Sequence, residues 1–337
     1  MPSPSFNIAI VTPFVSYHGG VESVNANLLR IFDKHQVTFI TLDDIPNKRG
    51  IFSRILRKFG GGDPALLSRY FRSLKGDFDI VLCNGEFGYG IKHGHAINLF
   101  HGSAWGYLQC MKKFTSKSQQ TYWKQIYRLQ KQSAKGKYVV AVSDYLRFWL
   151  ESQGIAVDET IPNGIDTKHF TLPSPIKKRN GRYLFVGSYD HYGKGFDILL
   201  ELAKKGLPID CVSNRPLPSP LNRLKPRDNR SMKELYQEYE VLIFPSRFEG
   251  MGMVPLEAMA CGMPVVLTPV GFFSEFEKVF PEFVTRDTTS DAIIKKLEKI
   301  LANRESLAKK AFAYVDRHCS MEVFSKKWNL LLEKVVK

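Results

Sequence analysis

Short apolar runs recur along the chain at residues 8–11, 37–41, 80–83, 96–100, 138–142, 183–186, 209–212, 241–244 and 265–267, and each predicts a buried β-strand. Between them lie stretches of helical period at 21–32, 122–132, 196–202 and 291–301, which predict helices packed by one face. Near-continuous apolar strands alternating with helices imply parallel sheets covered on both faces. The alternation pauses at 161–180, a stretch rich in proline, glycine and lysine, then restarts with a strand that runs into a glycine-containing loop. Two doubly wound domains are expected, with ligands at the carboxyl ends of the strands and the default site in a cleft between the domains.

Length and composition agree with this picture. The 337 residues suit two domains, and a hydrophobic content of 44% is ordinary for a globular chain. No apolar run approaches the roughly 18 residues of a membrane span. The first residues, MPSPSFNIAIVTPF, lack the basic start and cleavage site of a signal peptide. The cysteines (Cys83, Cys110, Cys211, Cys261 and Cys319) are odd in number and never form a CxxC pair, which argues against a disulfide framework or zinc site and for a reducing, cytoplasmic setting.

Charge adds a constraint. The net charge is +15, and the excess is uneven: from Phe87 to Ser143 there is no acid, against eight lysines and one arginine. A basic surface calls for an anionic partner, whether nucleic acid, lipid headgroups or a phosphorylated substrate.

Chemistry concentrates in FPSRFEGMGMVPLEAMACGMPVV, residues 244–266. A strand enters a loop with Gly250 and Gly252, Pro255 is expected to open a short helix, and Gly262 closes it. Helix N-termini present unpaired N–H groups to phosphate, and glycines let the backbone approach a ligand. Glu249 in the loop can accept hydrogen bonds from sugar hydroxyls, and Glu257, eight positions later, can hold the two hydroxyls of a ribose. The combination suits a nucleotide sugar.

This stretch resembles the E-x7-E signature of retaining GT-B glycosyltransferases, the GT4 family (glycosyl transferases group 1) in particular. Further similarities follow in order: HGGVESVNANLL (18–29), LFHGSAWGY (99–107), AVSDYLRFWL with IPNGIDTKHF (141–170) and LFVGSYDHYGKGFDILLE (184–201). The resemblance implies an α/β GT-B fold of two Rossmann-like domains facing a central cleft. Residues 1–168 would bind the acceptor, 169–315 the nucleotide sugar, and 316–337 would form a helical segment packing back on the first domain. It further implies transfer with retention, no cofactor and no metal. Lys194, Glu249 and His101 would be the catalytic set, with His101 hydrogen-bonding the sugar. The donor would be held by Gly19, Gly20, Gly187, Ser188, Lys194, Glu249, Gly250, Met251, Gly252, Met253, Val254 and Glu257. Two departures stand out. Ser188 occupies a place where the family usually carries an arginine beside the diphosphate, with Arg182 and Arg215 as candidate substitutes. Phe272, in GFFSEF, stands where the family more often has glycine, which puts the shape before Glu275 in question.

The basic segments add a partner. Helical spacing in IFSRILRKF (51–59) sets Arg54, Arg57 and Lys58 opposite an apolar face, and the stretch 111–137 mixes lysines, Lys112 and Lys113 among them, with Phe114, Tyr122, Trp123 and Tyr127. Both suit an anionic bilayer surface; no nucleic-acid motif is present. The expectation is a cytoplasmic enzyme, peripheral on the inner face of the membrane. It would move a sugar from a UDP- or GDP-sugar to a glycan or lipid-linked acceptor such as a lipopolysaccharide precursor. The rival is a catalytically silent GT-B module that binds membrane or a partner enzyme, favoured by Ser188 alone.

Overall fold

A computed structural model describes residues 5–15, 20–46, 62–74, 76–174 and 179–337. The chain divides into two compact units, Met1–Pro162 with Phe324–Lys337, and Asn163–Val323. Each is built on one wholly parallel sheet.

In the first unit the order is β2-β1-β3-β4-β5-β6, with β1 Asn7–Val11, β2 Gln36–Ile40, β3 Ile80–Asn84, β4 Ala96–Phe100, β5 Tyr138–Ala141 and β6 Glu159–Thr160. Strands β3 and β4 are buried at every position, as strands covered on both faces must be. Because β1 lies between β2 and β3, the chain leaves β1 toward one edge and returns to its other side. The loops after β1 and β3 therefore part at the topological switch point, the usual ligand crevice of such sheets. The final helix, Met321–Val336, brings Trp328 into this unit's core, where it meets Phe32 edge-on at 6.0 Å.

The second unit has the order β11-β10-β7-β8-β9, with β7 Tyr183–Val186, β8 Ile209–Val212, β9 Asn222–Leu224, β10 Val241–Phe244 and β11 Val265–Leu267. Its switch point lies between β7 and β10, so the loops that follow these two strands stand side by side. One carries Gly187 to Gly195, the other Pro245 to Gly252.

Among the strands expected from sequence, each forms with its ends shifted by no more than one residue. The short edge strands β6 and β9 were not foreseen. Their residues, Glu159-Thr160 and Asn222-Arg223-Leu224, are mostly polar and carry no apolar run. Among the described residues no helix is long and apolar enough to cross a membrane.

Candidate active site

The acid-bearing helix runs Met253–Ala260 and starts two residues before the expected position at Pro255. Gly252 sets the start. It holds φ +89°, and a Cβ there would lie 2.9 Å from the Phe273 ring, so a side chain is excluded by both backbone and space. Pro255 is thus the third helical residue and removes one of the first-turn donors. The N–H groups of Met253 and Val254 remain to meet a ligand. Pro255, Leu256, Ala258, Met259 and Ala260 are buried, which leaves Glu257 as the sole ionisable side chain of an otherwise apolar helix.

The doubt at Phe272 has a local answer. Gly271 takes the left-handed conformation, φ +61°, while Phe272 sits in the 3-10 turn Gly271–Lys278 and its N–H donates to the Met251 carbonyl at 3.0 Å. Met251 is buried, and its sulfur accepts from the Asn163 N–H at 2.9 Å. Its side chain and carbonyl thus brace the loop from below.

Lys194 and Glu249 meet across the switch point. Lys194 Nζ lies 2.6 Å from Glu249 Oε1 and 5.7 Å from the centroid of the Phe244 ring, with the two side chains 31% and 12% exposed. Arg247, a residue sequence reading passed over, sews the two loops together. It forms a bidentate pair with Asp197 at 2.8 and 2.7 Å, donates to the Tyr192 carbonyl at 2.7 Å, and its backbone N–H reaches the Gly193 carbonyl at 2.9 Å. The loop that carries Lys194 is thereby fixed to the loop that carries Glu249.

Glu257 accepts a hydrogen bond from the fully buried Tyr236 hydroxyl at 2.9 Å. Burial raises its carboxyl to about 7, and the Tyr236 bond opposes that rise. The buried Arg179 sets this spacing from behind. It donates to the carbonyls of Tyr236 and Tyr239 at 2.6 and 2.7 Å and of Gly262 at 2.6 Å, joining the ends of both helices that bear the Tyr236–Glu257 contact. Burial lowers the Arg179 guanidinium to about 10. Nothing local in the sequence marks Tyr236 or Arg179; only the sheet order brings them to Glu257.

The remaining residues expected in the donor site divide. Gly187 donates its N–H to the Val212 carbonyl at 3.1 Å, so that donor belongs to the sheet. Ser188 follows it at the carboxyl end of β7. Of the candidate substitutes for the family arginine, Arg182 precedes β7 at the opposite end and is held by Asp210 at 2.7 and 2.5 Å. Arg215 follows β8 at the carboxyl side and is exposed. Gly250 lies in the loop beside Glu249, and Gly20 opens the helix Gly20–Ile31. Gly19, Arg54, Arg57 and Lys58 lie outside the described residues.

In the first unit His101 follows β4, and its Nε2 lies 3.1 Å from Asn84 Oδ1 at the end of β3. Desolvation lowers its imidazole to about 4, so the ring is neutral at ordinary pH. Beside it, Gln130 accepts from the Ala104 N–H at 2.9 Å and donates to the Gly102 carbonyl and to Glu86 Oε2, both at 3.3 Å. Burial raises the Glu86 carboxyl above its usual value. Lys112 and Lys113 stand exposed in the turn Lys112–Phe114, as do Phe114 in that turn and Tyr122 on the helix Lys117–Ser133 that follows.

Two doubly wound units, one with paired loops and an acid-bearing helix at its switch point, define the class: the GT-B architecture. The profile described as Glycosyltransferase Family 4 matches residues 18–169, and that described as Glycosyl transferases group 1 matches residues 222–313. The chain belongs to this glycosyltransferase family. It is 32% identical over 145 residues to the lipopolysaccharide core biosynthesis mannosyltransferase LpsB of Rhizobium meliloti, a match covering 34% of this chain and 41% of that enzyme. The chain thus spans less than half the length of this curated relative. Among solved structures it is similar to sucrose-phosphate synthase from Thermosynechococcus elongatus, with TM-score 0.78 and 16% identity over 97% of this chain and 98% of that one. It is similar also to HepE of Anabaena, solved with UDP-glucose, with TM-score 0.71 and 16% identity over 98% and 100% of the two chains.

Proposed function

We propose that this protein transfers a sugar from a UDP- or GDP-sugar to a hydroxyl of a glycan or lipid-linked acceptor, such as a lipopolysaccharide precursor, with retention and without a metal. The observation that carries the reading is the group Lys194, Glu249 and Glu257 at the switch point of the second sheet, beside a helix N-terminus that offers two N–H groups. A nucleoside diphosphate sugar needs those chemistries: cation and dipole for the leaving diphosphate, one carboxylate for sugar hydroxyls, another for the ribose diol. HepE, of the same fold, is described with UDP-glucose, and LpsB is named a core mannosyltransferase; both point to this donor and acceptor class.

In this reading Lys194 exchanges Glu249 for the diphosphate, and Met253 and Val254 N–H groups share its charge. Glu249, released, takes a sugar hydroxyl. With the anomeric C–O bond breaking, a bond forms from the acceptor oxygen to the same carbon. The neutral, weakly basic His101 is poorly suited to take the acceptor proton, which passes to the departing diphosphate oxygen. Lys112, Lys113 and the neighbouring exposed aromatics would rest the first unit on anionic lipid.

Calorimetric titration with UDP, GDP and ADP tests the donor assignment. Selective binding of one diphosphate, lost in Glu257→Ala, is the expected result. Absence of binding to all three would instead favour a silent module whose anion site failed at Ser188. Equal sedimentation with anionic vesicles of wild type and a Lys112→Gln/Lys113→Gln variant would discard that surface.

A further inference from the structure

A run of polar side chains, buried except at its His101 end, crosses the carboxyl edge of the first sheet, and the donor reading uses only that last member. Thr12 follows β1, Asn25 lies on the helix Gly20–Ile31, Asn84 ends β3 and His101 follows β4. Thr12 and Asn25 have no exposed surface, and Asn84 is 4% exposed. Asn25 Nδ2 lies 3.1 Å from Thr12 Oγ1, Asn84 Nδ2 lies 2.9 Å from Asn25 Oδ1, and His101 Nε2 lies 3.1 Å from Asn84 Oδ1. At the far end Thr12 Oγ1 lies 3.4 Å from the Phe14 carbonyl.

The far end gives the run a direction. A backbone carbonyl only accepts, so the Thr12 hydroxyl donates to Phe14 and turns its lone pair to Asn25. Asn25 then presents its NH2 to Thr12 and its oxygen to Asn84. Asn84 presents its NH2 to Asn25 and its oxygen to His101. Facing an oxygen, Nε2 must carry the hydrogen. The reverse polarity would set the Thr12 lone pair against the Phe14 carbonyl, and it would require the Nδ1–H tautomer, the less favoured form of a free histidine. Among the described residues His101 Nδ1 has no hydrogen-bond partner, and the residue is partly exposed.

We propose that the Thr12–Asn25–Asn84 relay locks His101 as its Nε2–H tautomer, so that the side chain meets substrate only as a hydrogen-bond acceptor, through Nδ1. Thr12, Asn25 and Asn84 are positioning residues in this scheme. The ligand class follows from the lone pair and rests on the glycosyltransferase reading: Nδ1 accepts from a sugar hydroxyl or amine. A carboxylate or phosphate substituent finds no donor there and is repelled. The lowered basicity of the ring serves the same end, because an imidazolium would reverse this preference.

Two-bond proton–nitrogen correlation spectra of the full chain labelled with nitrogen-15 histidine read the tautomer directly. His101→Gln identifies the signals of His101 by their loss. The expected result is a protonated Nε2, an unprotonated Nδ1 and no titration from about pH 5.5 to about pH 8. A protonated Nδ1, or an imidazolium in that window, would overturn the proposal. In Asn84→Asp the facing carboxylate favours the charged ring, so the His101 signals should begin to titrate in the same window. A folded variant without new titration would remove Asn84 from the relay. If that variant fails to fold, the wild-type spectrum still decides the tautomer. These spectra need neither donor nor acceptor. A wild type with the stated tautomer but no donor binding would therefore sink the transferase reading and leave the relay standing.

Discussion

Replacing Glu257 with glutamine separates what this residue costs the fold from what it does for the donor. Burial raises its carboxyl from 4.5 to about 7, so between those values the folded chain holds a proton that the unfolded chain has released. Stability must fall as pH rises through that window and level off above it. A rise of this size corresponds to roughly 3 kcal/mol, and the partial exposure of the side chain brings the expected loss to about 1–3 kcal/mol. Glutamine keeps an oxygen for the Tyr236 hydroxyl and does not titrate. Urea unfolding should therefore give similar stabilities for wild type and Glu257→Gln near pH ~5, and a variant more stable by about 1–3 kcal/mol near pH ~8. Other groups titrate alike in both chains, so their difference isolates this carboxyl. Donor binding should move the opposite way. Loss of a charge-assisted bond to the ribose diol weakens nucleotide affinity about 10- to 100-fold. Parallel stability curves across the window would refute the electrostatic argument, and unchanged affinity by calorimetry would refute the ribose role.

Other perturbations probe the surrounding frame. Glu249→Ala should lower turnover on the order of 100-fold while leaving the melting curve nearly unchanged, since the residue lies in a loop; normal turnover would remove it from the chemistry. Arg179→Met strands the carbonyls of Tyr236, Tyr239 and Gly262, and should cost about 3–5 kcal/mol in urea unfolding; a loss under about 1 kcal/mol would mean those carbonyls find other donors. Gly252→Ala forces a side chain into a left-handed residue against Phe273, and about 1–3 kcal/mol of strain should appear as lower stability together with weaker donor binding. An alanine variant matching wild type in both would show the loop has room to reshape.

How far the sequence speaks depends on whether a feature is local. Strands such as residues 96–100 and 241–244 announce themselves because a strand buried on both faces needs an unbroken apolar run. The edge strands β6 and β9 have no such need, and their polar residues gave no signal. Glu249 and Glu257 were legible through their spacing around glycines and a proline. Tyr236, Arg179 and the Thr12–Asn25–Asn84 run were not, because no local pattern sets any of them apart and each gains meaning only from strand order. Arg182 misled for the converse reason: it is near Ser188 in sequence, but a strand separates them and points them to opposite edges of the sheet.

The Lys194–Glu249 contact bears on the tempo of turnover. A lysine already matched by a carboxylate exerts little pull at a distance, so for the proposed anionic donor long-range attraction would fall to the chain's overall excess of +15, which salt screens. In the proposed reading the last step of capture would be an exchange of partners at short range. Departure would run that exchange backwards, with Glu249 competing with the spent diphosphate for Lys194. The carboxylate proposed to receive the substrate would thus also help to evict the product.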